Sequence, residues 1–186
     1  GLPEDQVDAT HRRYAKAVNF GIMYGISAFG LSQNLGIDRD EAAAYIENYF
    51  RRLPRVKAFI EETIAIARGQ GYVATVFGRR RPIPELASGS FQERSLGERL
   101  AVNSVIQGSA ADIIKVAMIR CHERLESEFP RSRLVLQVHD ELVFEAPEEE
   151  AARVRDAVVE DMVAAFDMEP PLGVDAGVGP DWLSAK

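Results

Sequence analysis

Only one cysteine, Cys121, occurs among the 186 residues. A lone cysteine excludes a disulfide framework and any zinc site built on paired cysteines. The histidines are as scarce: His11, His122 and His139 do not fall at zinc-ligand spacing. No apolar run approaches the ~18 residues that a membrane-spanning helix needs, so no membrane partner is expected. The opening stretch, Gly1 to Ala9, is acidic and lacks an apolar core, unlike a secretory leader, and a cytoplasmic protein is the expectation. Internal repeats and low-complexity stretches are missing too, which excludes solenoids and disordered tails. What remains is ordinary globular material, 46% hydrophobic and 27% charged. The length suits one domain or two small subdomains sharing a core.

The net charge of −7 is unevenly spread. Residues 1–106 hold 14 basic against 12 acidic residues, whereas residues 107–186 hold 8 against 17. The cations also cluster: Arg12, Arg13 and Lys16, then Arg51, Arg52, Arg55 and Lys57, then Arg79, Arg80 and Arg81. A local basic surface can bind phosphate on a chain that is acidic as a whole.

Periodicity predicts helices first and a small sheet later. His11 to about Tyr24 reads as a helix. Ser27 can cap a second, which Gly36 ends. Asp38 with Glu41 forms a capping-box pattern before the apolar positions Ala42, Tyr45, Ile46, Tyr49, Phe50 and Leu53. Pro54 suits the first turn of the next helix, which Gly69 and Gly71 stop. Residues 72–86, with Gly78, Pro82 and Pro84, predict a loop or irregular hairpin. Ser90 with Glu93 opens a long helix to about Glu128, with a bend expected near Gly108. The period then changes to two: Leu134, Leu136 and Val138, then Leu142 and Phe144, joined by a His139-Asp140 turn. Pro147 and three glutamates are expected to open a last helix, and Val174, Ala176 and Val178 a last strand. The fold class is α+β, helices followed by a small antiparallel sheet.

Three groups of residues carry chemistry. Arg12, Lys16, Phe20 and Tyr24 recur every four residues. On a helix each step rises ~6 Å and turns ~40°, giving one slanting row ~18 Å long. Two cations, an aromatic ring and a hydroxylated ring match the order phosphates, sugar, base of a nucleoside triphosphate. Gly25 allows a close backbone approach. Spacing alone favours an amphipathic helix with solvated cations and rings facing the core, because such rows are common. Second, His139, Asp140 and Glu141 sit at a tight turn that lacks the usual glycine. Paired carboxylates there can hold Mg²⁺, or form a plain acidic turn. Third, Arg99, Asn103 and Gln107 are spaced by four on a helix rich in Leu96, Leu100, Val102, Val105 and Ile106. Such donors suit the minor-groove acceptors common to all base pairs, or hydrogen bonds between helices. Arg79-Arg80-Arg81 is either a solvated run or a contact to a template backbone.

These stretches resemble family A DNA polymerases. Arg12 to Gly25 is similar to that family's nucleotide-binding helix, R-x3-K-x7-Y-G. Leu136 to Glu145 resembles its catalytic hairpin in the bacterial members, and Asn103 to Asp112 its N-x3-QG-x-AAD stretch. The ending Asp181-Trp182-Leu183-Ser184-Ala185-Lys186 fits as well. The resemblance implies a C-terminal portion with part of the fingers at 1–90 and part of the palm at 91–186. It implies a nucleotidyltransferase of DNA replication and repair that extends a primer by two-metal phosphoryl transfer. Arg12, Lys16, Phe20, Tyr24 and Gly25 would bind the deoxynucleoside triphosphate, Lys16 with a catalytic share. Arg99, Asn103, Gln107 and His139 would contact primer-template DNA. Asp140 and Glu141 would be catalytic and would bind Mg²⁺, with Asp112 structural.

One departure bears on activity. The family's other catalytic aspartate lies in a D-Y-S-Q-I-E-L-R segment, and no such segment occurs in this sequence. The expectation is an incomplete two-ion site, a chain inactive without the rest of its parent polymerase, and a hairpin edge prone to self-association. Two other classes stay open. One is a non-catalytic nucleotide- or DNA-binding fragment. The other is a metal-dependent phosphohydrolase using Asp140, Glu141 and Asp112.

Overall fold

The computed structural model describes residue 3 and residues 6–185. Two compact units make up the chain, Gly1–Gly108 and Ser109–Lys186. The first holds four helices, a hairpin and the start of a fifth helix. Helix α1, Ala9–Met23, begins where the Asp8 carboxylate accepts from the His11 backbone N–H at 2.8 Å. That bond satisfies an orphan donor of the first turn and holds the Asp8 carboxyl below its ordinary value. Helix α2, Ala28–Leu35, starts at Ser27, whose Oγ accepts from Gly30 N–H at 3.1 Å, and ends at Gly36 in the left-handed region. Both ends are as expected. Helix α3, Arg39–Arg52, has Asp38 at its N-cap, but that side chain makes no capping bond, so the expected box does not form. Asp40 and Glu41 in the first turn and Arg51 and Arg52 in the last suit the helix dipole without it.

Helix α4, Pro54–Gln70, has proline in its first turn and ends at Gly71, with φ +79°. Gly69, expected to help stop it, is helical. Strands β1, Tyr72–Ala74, and β2, Arg80–Pro82, form the antiparallel hairpin, Tyr72 opposite Pro82. A 3-10 turn over Pro84–Ala87 leads into helix α5, Phe91–Glu128. The expected box at its start is half made: Ser90 Oγ lies 3.5 Å from Glu93 N, while the Glu93 carboxylate accepts from the Ser88 hydroxyl instead. Ala67, Val73, Ile83 and Ala101 form the core under the hairpin, with Leu86, Leu100 and Val105 against them. Helix α5 continues through Gly108 without interruption.

In the second unit, strands β3, Arg133–Val138, and β4, Glu141–Glu145, pair antiparallel around the expected His139-Asp140 turn. The register shifts between Leu134 and Leu136, and Arg133 closes the open end on Glu145 with Nε and Nη2 at 3.0 and 2.6 Å from Oε2. Helix α6 is Ala151–Val163, later than expected. Residues 148–150 form a turn, in which Glu149 and Glu150 pair with Arg131 rather than enter the helix. The core joins Cys121, Leu125 and Phe129 of α5 to Val154, Ala157 and Val158 of α6, with Phe144, Ala146 and Met162 packed on it. Arg124 ties the same two helices, reaching Glu160 at 3.0 Å, Asp161 at 3.4 Å and the Ala157 carbonyl at 3.2 Å.

The expected last strand does not form: residues 174–178 have no strand structure. Its small apolar residues bury little, and Val178 is 54% exposed. The segment lies against the terminal turn instead, where a Cβ on Gly177 would meet the Ala185 carbonyl oxygen at 1.8 Å. The sheet in this unit is therefore β3 and β4 alone among the described residues.

Burial and the nearby Asp161 push the Cys121 thiol up to about 11. A thiol held protonated and fully covered is a poor nucleophile. Iodoacetamide at pH 8 should leave Cys121 unmodified in the native chain and label it fully in urea, read by intact mass. Labelling at equal rates in both states would show that the α5–α6 packing is open.

Candidate nucleotide and nucleic-acid interface

The row on α1 takes the form its spacing predicts. Arg12, Lys16 and Phe20 are all exposed on the helix. Lys16 Nζ stands 5.8 Å from the Phe20 ring centroid, within cation–π range. Phe20 and Tyr24 stack with centroids 6.0 Å apart and 26° between planes. Neither Arg12 nor Lys16 has an ion pair among the described residues. Tyr24 is half-buried at the C-cap, where its N–H donates to the Phe20 carbonyl at 2.9 Å. Cation, ring and ring thus touch in sequence and remain open to a ligand.

Gly25 brings the first and third groups together. Its φ is +73°, and a Cβ there would meet Arg99 Cγ at 2.9 Å. The end of α1 therefore lies against the side chain that starts the polar row of α5. Arg99 and Gln107 are exposed and Asn103 is half-buried. The Asn103 Oδ1 is buried without a hydrogen-bond partner among the described residues. An amide oxygen in that state costs stability, so it fits a site that a ligand completes.

In the second unit, His139, Asp140 and Glu141 are all exposed at the hairpin turn. His139 has φ +54°, and the Gln137 side-chain amide donates to its carbonyl. A two-residue loop needs positive φ at its first position, which glycine adopts without strain and histidine does not. Among the described residues, no three His, Cys, Asp or Glu gather to hold a metal ion. Asp140 and Glu141 are two hard oxygen donors, which fits one side of a Mg²⁺ site that substrate phosphates complete. Asp112 is half-buried on α5, and it forms no metal-binding group of three with Asp140 and Glu141 among the described residues.

The family profile "DNA polymerase family A" matches residues 1–184. The chain belongs to DNA polymerase family A. Among its family A relatives, DNA polymerase I of Bacillus subtilis is 52% identical over 185 residues, covering 100% of this chain and 21% of the relative. The thermostable DNA polymerase I of Thermus aquaticus is 48% identical over 186 residues, covering 100% of this chain and 22% of that protein. A solved structure, the POL domain of Pol1 from M. smegmatis in complex with DNA primer-template and dNTP, is 45% identical. It superposes with a TM-score of 0.95, covering 99% of this chain and 32% of that one. The chain spans about a fifth of the length of the curated relatives it matches. No helix of the described residues is long and apolar enough to cross a membrane.

Sequence reasoning missed how Thr75 and Gly108 meet in this family A chain. A Cβ on Gly108 would come within 2.8 Å of Thr75 Cγ2. The signal was a glycine in mid-helix, which costs ~1 kcal/mol unless a close neighbour requires it. At the hairpin, the positive φ of His139 makes a sharp test. His139→Val should be about 1–3 kcal/mol less stable than His139→Gly, because a β-branched residue tolerates that φ worst. Urea unfolding of the two variants measures the difference, and equal midpoints would mean that the turn carries no strain.

Proposed function

We propose that this chain is part of a template-directed DNA polymerase, with residues 1–90 in its fingers and 91–186 in its palm. The parent enzyme adds deoxynucleotides to a primer 3′ end as a nucleotidyltransferase in DNA replication and repair, in the cytoplasm where bacterial DNA lies. The observation that carries this reading is the contiguous row on α1, Lys16 over Phe20 and Phe20 stacked on Tyr24. Primer-template and dNTP accompany the solved M. smegmatis relative, and the same classes of ligand are proposed here.

Each residue then has a task. Arg12 grips the triphosphate as a fork, and Lys16 acts as a point charge on the phosphates where negative charge develops. Phe20 lies against the sugar and Tyr24 against the nascent base pair, with Gly25 keeping the backbone close. Arg99, Asn103 and Gln107 offer donors to the minor groove, testing pair geometry without reading sequence. His139 faces the primer end. Asp140 and Glu141 hold Mg²⁺, which when bound supplies Lewis-acid activation of the primer hydroxyl and charge neutralisation at the leaving pyrophosphate.

In the full polymerase, Lys16→Ala should lower kcat/KM for nucleotide incorporation by about 10²-fold or more, the scale of a lost charge contact in a transition state. Unchanged incorporation kinetics would return Lys16 to an ordinary solvated face.

Taken alone, the chain is proposed to be inactive, because the described residues hold no group of three metal-binding side chains. Strands β3 and β4 also have no third strand beside them among the described residues, and Val135 and Leu136 are 45% and 39% exposed. Such an edge pairs readily with another chain. Purified chain with Mg²⁺, primer-template and dNTPs should extend no primer, and light scattering should find it associated. Robust extension would refute the half-site argument, and a monomer at all concentrations would refute the exposed edge.

A further inference from the structure

The nucleotide row covers one side of α1, and a different set of side chains covers the other. At about 100° per residue, Val18 lies roughly 160° around the helix from Phe20. Tyr14, Ala15, Val18 and Asn19 of α1 line a cavity of about 430 Å³, bounded on its far side by Tyr45 and Tyr49 of α3. Helix α1 packs directly on α2, but toward α3 it borders this space. A helix face beside a cavity lacks the close contacts that would fix how far the helix rolls about its axis.

One directed contact crosses the gap. The Tyr49 hydroxyl donates to Asn19 Oδ1 at 2.7 Å, across 30 residues of chain. Its donor end is firmly held. Helix α3 packs along α2, and the Tyr49 ring meets the Phe50 ring edge to face, with centroids 5.6 Å apart and 82° between planes. Burial raises the Tyr49 hydroxyl above its ordinary pKa, so it keeps its proton and stays a donor at neutral pH. The acceptor end is the residue immediately before Phe20. Asn19 and Phe20 leave the helix about 100° apart, so a roll that Asn19 cannot make is one that Phe20 cannot make either. Through the ring stack the same restraint reaches Tyr24.

We infer that Tyr49 is a positioning residue for the nucleotide: by holding Asn19 it sets the roll of α1, and with it the angle at which Lys16, Phe20 and Tyr24 meet the deoxynucleoside triphosphate. Tyr49 acts on the nucleotide through Asn19. The inference rests on the polymerase reading and adds to it a residue from outside the row. Tyr45 separates this role from plain filling of the cavity, because it lines the same space without a hydrogen bond to α1 among the described residues.

A helix freed to roll must be ordered when the nucleotide binds, so the cost of losing the bond falls on KM. In the full polymerase, assayed by single-nucleotide incorporation, Tyr49→Phe should raise KM for deoxynucleotides about 3- to 10-fold, the scale of one lost hydrogen bond, and leave kcat within about twofold. Asn19→Ala should raise KM likewise, and the double variant should be no worse than the worse single one, because the pair acts as a unit. Tyr45→Phe should leave KM unchanged. A merely structural role for Tyr49 would lower the unfolding midpoint and the fraction of active enzyme, and so kcat, without moving KM. That outcome, or an unaltered KM, would overturn the inference. Equal rises for Tyr45→Phe and Tyr49→Phe, or losses that multiply in the double variant, would overturn it too. If the unaltered parent enzyme incorporates no nucleotide, the polymerase reading itself falls, before any variant is compared.

Discussion

Two close approaches to helix α5 order the first unit. At one end of the polar row, Gly25 lets the end of α1 lie on the stem of Arg99. At the other, Gly108 lets the hairpin loop seat Thr75 and Arg79 on the helix just past Gln107. Between these clamps Arg99, Asn103 and Gln107 occupy one face at fixed heights. A β-carbon at either glycine would push a neighbour away and move an end of the polar row, and at Gly25 it would also displace the end of α1.

Held this way, several polar groups of the two rows do not pair with one another. Lys16 leans on Phe20 and not on a carboxylate, Asn103 keeps a buried oxygen without a partner among the described residues, and Arg81 on the hairpin has no ion pair among them. Of these, the buried Asn103 oxygen costs folding free energy, whereas the exposed Lys16 and Arg81 stay solvated. Arg68, by contrast, pairs with Glu98 on α5.

The second unit shows the opposite economy of charge. Arg124 is surrounded by Glu128, Glu160 and Asp161, and Arg131 by Glu149 and Glu150, so its cations serve packing between elements. Asp140 and Glu141 are exposed at a turn where His139 takes a positive φ. The Arg133–Glu145 pair lies at the far end of the hairpin from these two residues.

Local rules were enough for the helices, the caps at Ser27 and Gly36, the α+β class and the hairpin around His139-Asp140, because periodicity and turn chemistry act within a few residues. They were enough for the α1 row too, since spacing by four on a helix leaves little freedom. They failed where partners come from afar. The Asp38 side chain makes no capping bond although the sequence pattern is present, and Glu149 and Glu150 pair with Arg131 in a turn ahead of α6. Residues 174–178 alternate like a strand but found a closer surface in the terminal turn. How Tyr49 comes to hold Asn19, and why Gly25 and Gly108 must be glycine, depended on contacts tens of residues apart along the chain. Only tertiary packing could decide them, because a side chain's surroundings are set by whichever distant element comes to lie against it.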